Sequence, residues 1–134
     1  VTDAWGGLKD NKDAVLVDVR TRAEWAFVGV PDLSAIGKDV ALIEWQSFPS
    51  MELNGNFATE LSAVLKNGAL DADVPVYFLC RSGARSRSAA MAATQMGYQN
   101  SYNIAGGFEG DLDQNRHRSS VNGWRQQGLP WVQN

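Results

Sequence analysis

Two continuous apolar runs dominate the hydrophobic pattern, residues 14–19 and residues 74–79. Neither alternates polar with apolar positions, so each predicts a strand covered on both faces, as in a parallel sheet. Residues 40–45 and 99–104 predict two further strands. Helical spacing appears at Phe57, Leu61, Val64 and Leu65, with a stop near Asn67 and Gly68. The small-residue run 88–96 favours a helix ended by Gly97. A shorter helix is predicted over 2–8, with Trp5 and Leu8 on one face. Residues 20–24 read as a polar, turn-prone segment followed by Trp25, Phe27 and Val28 as packing residues, and Pro31 interrupts any helix there. Residues 47–56 read as loop. From Phe108 the chain is polar and irregular as far as Gly123, and Leu129-Pro130-Trp131 marks a packed tail.

Strands alternating with helices imply an α/β domain with a mainly parallel sheet. A chain of 134 residues suits one domain spanning 1–134. In such folds ligands bind beyond the C-terminal ends of the strands. Cys80 ends one predicted strand, Asp18 and Arg20 follow another, and Gly106-Gly107 follow a third. Parallel strands would gather these groups at one edge.

Composition narrows the function classes. With 44% hydrophobic and 20% charged residues the chain is an ordinary globular protein. A net charge of -3 gives no reason to expect nucleic acid or an anionic membrane. No apolar run has the length of a membrane span and no signal-peptide pattern opens the chain. A soluble protein is expected, with cytoplasm and periplasm both open. One cysteine rules out an internal disulfide framework. With a single histidine, His117, it also argues against a structural zinc site.

The chemistry concentrates in Cys80-Arg81-Ser82-Gly83-Ala84-Arg85-Ser86, between strand and helix. A tight loop feeding a helix N-terminus is an anion site, and the dipole and guanidinium charge there favour a thiolate. Cys80 is therefore the candidate nucleophile. Arg81 and Arg85 are candidate substrate contacts, with salt bridging as the alternative, whereas Arg87 reads as structural. Ser82 and Ser86 either donate to the sulfur or cap the helix. Asp18 and Arg20 read as an ion-paired scaffold, Gly106-Gly107 as a backbone turn beside the pocket and His117 as an exposed residue. The tryptophans read as packing residues, with Trp124 also able to line the pocket. The spacing Cys-x-x-x-x-Arg is one residue shorter than the loop of cysteine phosphatases, and position 86 is serine. One amide fewer makes a narrower cradle, sized for one sulfur atom.

Cys80, Gly83, Arg85 and Ser86, the helix ending in Gly97-Tyr98, Asp18-Val19-Arg20 and the stretch 98–107 together resemble a single-domain rhodanese. The resemblance covers residues 14–107. It implies a five-stranded parallel sheet with helices on both faces and a sulfurtransferase that moves sulfane sulfur through a Cys80 persulfide. The amides and side chains of Arg81, Ser82, Gly83, Ala84, Arg85 and Ser86 would bind the substrate. The implied partners are a small anionic donor such as thiosulfate and a thiol, cyanide or protein acceptor, with no metal or organic cofactor. This chain departs from the family pattern in having Gly29-Val30-Pro31 where many members carry a Gly-His-Ile-Pro-like stretch. It departs again in the extension 109–122, which bears on access to the nucleophile. A cysteine-dependent phosphatase or arsenate reductase, and a non-enzymatic binding module on the same fold, remain the alternatives.

Overall fold

A computed structural model describes residues 1–67 and 73–133. The first half contains α1 (Thr2–Asp10), β1 (Val15–Asp18), α2 (Arg22–Phe27), β2 (Val30–Pro31), a 3-10 turn (Ser34–Ile36), β3 (Ala41–Leu42), β4 (Gln46–Ser47) and β5 (Glu52–Leu53). The second half contains α3 (Phe57–Asn67), β6 (Val76–Leu79), α4 (Ala84–Gln95), β7 (Ser101–Asn103) and β8 (Trp131–Val132). The central sheet has the order β3-β1-β6-β7, and every pairing in it is parallel. It has four strands among the described residues, where the resemblance implied five.

The continuous apolar runs become strands buried on both faces. On one face Val17, Val19, Val76 and Phe78 pack under α3 and α4, through Phe57, Leu61 and Leu65 of α3 and Ala89, Ala90 and Ala93 of α4. On the other face Leu16 and Leu79 pack with Ala4 and Leu8 of α1, and with Ile104, Phe108 and Trp124. Alternate residues of each strand thus serve opposite cores, which is why polar and apolar positions do not alternate along them. Burying each large side chain stabilises the fold by about 1.5–3 kcal/mol. Trp5 lies edge-on to Trp124 with ring centroids 5.8 Å apart, closing the second core.

Several elements differ from the sequence pattern. Only Ala41–Leu42 of the expected strand 40–45 has strand geometry, yet the amides of Ile43 and Trp45 still donate to Asp18 and Val19 carbonyls. The segment therefore follows the edge of β1 without keeping ladder register. The segment 20–24, expected to be turn-prone, instead caps and opens α2 (Arg22–Phe27), because Thr21 and Glu24 make a reciprocal capping box. Phe27, expected to pack, points outward and is 82% exposed, because a six-residue helix anchored at its N-terminus leaves its last turn at the surface. Within the expected loop 47–56, β4 and β5 pair as a small antiparallel hairpin. The helix expected from Ser88 begins at Ala84. Helix α3 runs to Asn67, and the expected Gly68 stop lies outside the described residues. β2 and β8 pair antiparallel, clasping the tail to the segment after α2. Among the described residues, no helix is long and apolar enough to cross a membrane.

Candidate active site

The parallel sheet brings the three predicted groups to its C-terminal edge. Cys80 follows β6, Asp18 ends β1, and Gly106-Gly107 follow β7. The turn after β7 is hydrogen-bonded onto the cysteine loop: Phe108 N–H donates to Cys80 O at 2.8 Å, and the amides of Glu109 and Gly110 donate to Arg81 O at 3.0 and 3.1 Å. Gly107 sits where a Cβ would come within 2.5 Å of Cys80 O, so only glycine permits this approach. Asp18 and Arg20 form a buried ion pair at 2.6 Å, with Arg20 Nη2 also donating to Gly29 O at 2.6 Å. The Arg20 guanidinium lies 4.3 Å from the centre of the Phe108 ring. These contacts make the Asp18–Arg20 pair a scaffold joining β1, the segment before β2 and the turn after β7.

The step from strand to helix is very short. Gly83, at φ 116°, is the N-cap of α4, and this left-handed conformation lets the chain reverse within the residues after Cys80. The reversal aims Gly83 N–H back at Cys80 Sγ, 3.1 Å away. In the first turn of α4, Ser86 is fully buried and its hydroxyl lies 3.2 Å from the same sulfur. Cys80 itself is 1% exposed, with its sulfur at the head of a twelve-residue helix. Of the amides expected around the sulfur, that of Gly83 donates to it. The amides of Ala84, Arg85 and Ser86 belong to the first turn of the helix, where no intrahelical partner exists for them.

Arg81 is exposed and Ser82 half-buried. Arg81, Ala84 and Arg85 line an open cleft of about 640 Å³. Arg85 is already engaged: its two terminal nitrogens meet the two oxygens of Glu24 at 2.6 and 3.0 Å, joining α4 to α2. Burial pushes the Glu24 carboxyl upward, but the hydrogen bonds and charge of Arg85, with the Thr21 amide and Arg20 in support, outweigh it and hold the group below the ordinary glutamate range. Burial alone would lower Arg85. Its hydrogen bond to Glu24, then attraction to Glu24, Cys80 and Asp18, leave it raised.

Four neighbours of the loop and cleft escape a reading of the sequence. Asn103 Oδ1 lies 2.5 Å from Ser86 Oγ. Glu24 pairs with Arg85, and Arg118 and Phe48 line the cleft together with Arg81, Ala84 and Arg85. The capping pattern Thr21-x-x-Glu24 was a signal for Glu24. Trp124, fully buried beside Trp5, serves packing, and His117 is exposed. Among the described residues no cluster of histidine, cysteine, aspartate and glutamate has the form of a metal site.

Residues 1–113 match the model of the rhodanese-like domain. An uncharacterised protein of Rickettsia prowazekii is 40% identical over 130 residues, covering 97% of this chain and 92% of its own length. A sulfurtransferase of Allochromatium vinosum is 30% identical, covering 93% of this chain and 84% of its own length. The crystal structure of Rv0390 from M. tuberculosis superposes with a TM-score of 0.87 at 49% identity, covering 99% of this chain and 94% of that one. The tail beyond residue 113 is thus shared with a solved relative although the family model ends before it. With the domain model, the parallel sheet and sulfurtransferase relatives in agreement, the chain belongs to the rhodanese-like family.

Proposed function

We propose that the protein is a sulfurtransferase that carries sulfane sulfur on Cys80 as a persulfide, taking it from thiosulfate or a similar anionic donor. The observation that carries this reading is the sulfur's setting. Cys80 Sγ is buried at the head of α4 and meets Gly83 N–H at 3.1 Å and the Ser86 hydroxyl at 3.2 Å, with Arg81 beside it in an open cleft. The family membership and the sulfurtransferase relative support it.

The thiolate attacks the outer sulfur of thiosulfate. A bond forms between Cys80 Sγ and that sulfur, the donor's S–S bond breaks, and its electron pair leaves with sulfite. No proton moves and the charge balances. The product sulfur is a terminal anion, and the amides at the head of α4 stabilise it as they stabilise the thiolate, with the helix dipole in support. Ser82, Gly83, Ala84 and Ser86 form the wall of this cradle, and Arg81 offers the donor's oxygens a guanidinium that has no carboxylate partner among the described residues. Arg85 reaches the donor only by giving up part of its pairing with Glu24. A thiol, cyanide or a protein acceptor then takes the sulfur, freeing the thiolate. No cofactor enters either step.

Intact mass measurement after incubation with thiosulfate tests the reading. One added sulfur atom is expected, removable by cyanide and absent from Cys80→Ser. A protein that takes up no sulfur from thiosulfate or polysulfide, or a serine variant that takes it up equally, would sink the assignment. Phosphate-ester hydrolysis dependent on Cys80 would then favour the phosphatase reading.

A further inference from the structure

The extension 109–122 supplies the cleft with a guanidinium of its own. Arg118, half-buried, lines the cleft together with Arg81, Ala84 and Arg85. Its Nη1 donates to Gly110 O at 2.7 Å, and Gly110 N–H donates to Arg81 O at 3.1 Å. Arg118 is thereby tied, through one intervening residue, to the position next to the cysteine. The segment that carries it is braced from within. The Asp113 carboxylate accepts from the amides of Asn115 and His117 and from the Ser120 hydroxyl, and Ser119 N–H donates to Glu109 O.

The charges of the cleft sort into pairs. Its carboxylates are Glu24 and Glu109. Glu24 is taken by both terminal nitrogens of Arg85, and Glu109 lies 3.7 Å from Arg125. Arg81 and Arg118 are then the cleft cations that have no carboxylate partner among the described residues. Two guanidinium groups without a carboxylate partner among the described residues, lining one cleft and linked through Gly110, attract an oxyanion.

We propose that Arg118 is the specificity-determining residue for the donor's anionic end, holding its oxygens together with Arg81, while Arg85 positions α4 against α2. The assignment rests on the sulfur-transfer reading and deepens it. Removing one charge-assisted contact costs roughly tenfold or more in affinity. Arg118→Gln should therefore raise KM for thiosulfate about tenfold with kcat nearly unchanged, and Arg118→Lys should recover part of the loss. With polysulfide, which is anionic but has no oxygens to hold, KM should rise by much less than for thiosulfate. Equal losses with both donors, or no loss with either, would overturn the assignment. A turnover-free measurement separates the two ideas. Calorimetric titration of Cys80→Ser with thiosulfate should show binding that the added Arg118→Gln weakens about tenfold, and equal binding by both proteins overturns the role of Arg118. A wild-type protein that never gains sulfur, yet loses thiosulfate binding with Arg118→Gln, overturns sulfur transfer alone and leaves Arg118 as an anion-binding residue.

Discussion

Ser86 occupies a position with two claims on one proton. Its hydroxyl lies 3.2 Å from Cys80 Sγ and 2.5 Å from Asn103 Oδ1. A hydroxyl donates once and accepts through its lone pairs. When Ser86 donates to Asn103, its lone pairs are left to face the sulfur and accept a thiol proton. When the sulfur is anionic, the hydroxyl must turn to donate to it, and Asn103 then serves best by presenting its NH2 instead. The carboxamide can make that exchange by rotation, and oxygen and nitrogen occupy nearly the same places. In the proposed transfer, Ser86→Ala removes a hydrogen bond to the anionic sulfur in a fully buried place, so persulfide formation should slow about tenfold or more. Rapid-mixing rates with thiosulfate check this, and an unchanged rate would leave Ser86 only as a link between α4 and Asn103 of β7, since Gly83 and not Ser86 caps the helix. The Ser86 contact with sulfur was readable from the local motif. Asn103 was not, because it lies 17 residues further on and reaches Ser86 only once β7 pairs beside β6.

Between elements, the Glu24–Arg85 pair does for helices what the ladder does for strands. Glu24 accepts from Thr21 N–H and hydroxyl, completing the cap of α2, and from both terminal nitrogens of Arg85 on α4. One carboxylate thus orders a short helix and sets the helix that starts at the cysteine loop. Glu24→Gln keeps the cap and loses the charge, which should lower stability at neutral pH by about 1–2 kcal/mol. The pH dependence has a definite sign. Because the carboxyl is held below its ordinary range in the folded protein, its contribution is present above the unfolded pKa and fades as pH falls through the folded one. Arg85, raised in the folded protein, keeps its proton throughout that window. Urea unfolding at neutral and acid pH should show the gap between wild type and Glu24→Gln shrinking towards acid, and a constant gap would exclude the ion pair as its source. Helix α2 was hidden in the sequence by its length: six residues show no apolar period, whereas the long helices α3 and α4 declared themselves. The start of α4 was placed late because Gly83 read as loop, and its φ of 116° makes it the cap instead.

At the scale of the molecule, the site is held by a relay from the C-terminal tail. Pro31 pairs with Trp131, Trp124 Nε1 donates to Pro130 O at 2.7 Å, and Trp124 N–H donates to Gly107 O at 2.8 Å. Gly107 in turn lies against the backbone of Cys80 and Arg81. The gathering of β1, β6 and β7 ends at one edge was legible, because buried runs imply parallel strands and parallel strands share an edge. The fit between edge and tail was not, since it depends on contacts between segments with no common pattern. Gly107 tests how tightly the two are joined. Its φ of +65° is nearly that of Gly37 at +69°, so alanine suffers the same backbone strain at either position, about 1–2 kcal/mol. The surroundings differ. A Cβ on Gly37 meets nothing within 4 Å, whereas on Gly107 it comes 2.5 Å from Cys80 O and 2.6 Å from the Arg81 carbonyl carbon. Gly107→Ala should therefore destabilise by more than Gly37→Ala in urea unfolding. Under conditions where both variants stay folded, it should also lower kcat/KM for thiosulfate at least tenfold, because the backbone it displaces carries Cys80, the proposed nucleophile, while Gly37→Ala keeps full activity. If the two variants lose equal stability and both remain active, the turn after β7 is a neighbour of the cysteine loop and not its support.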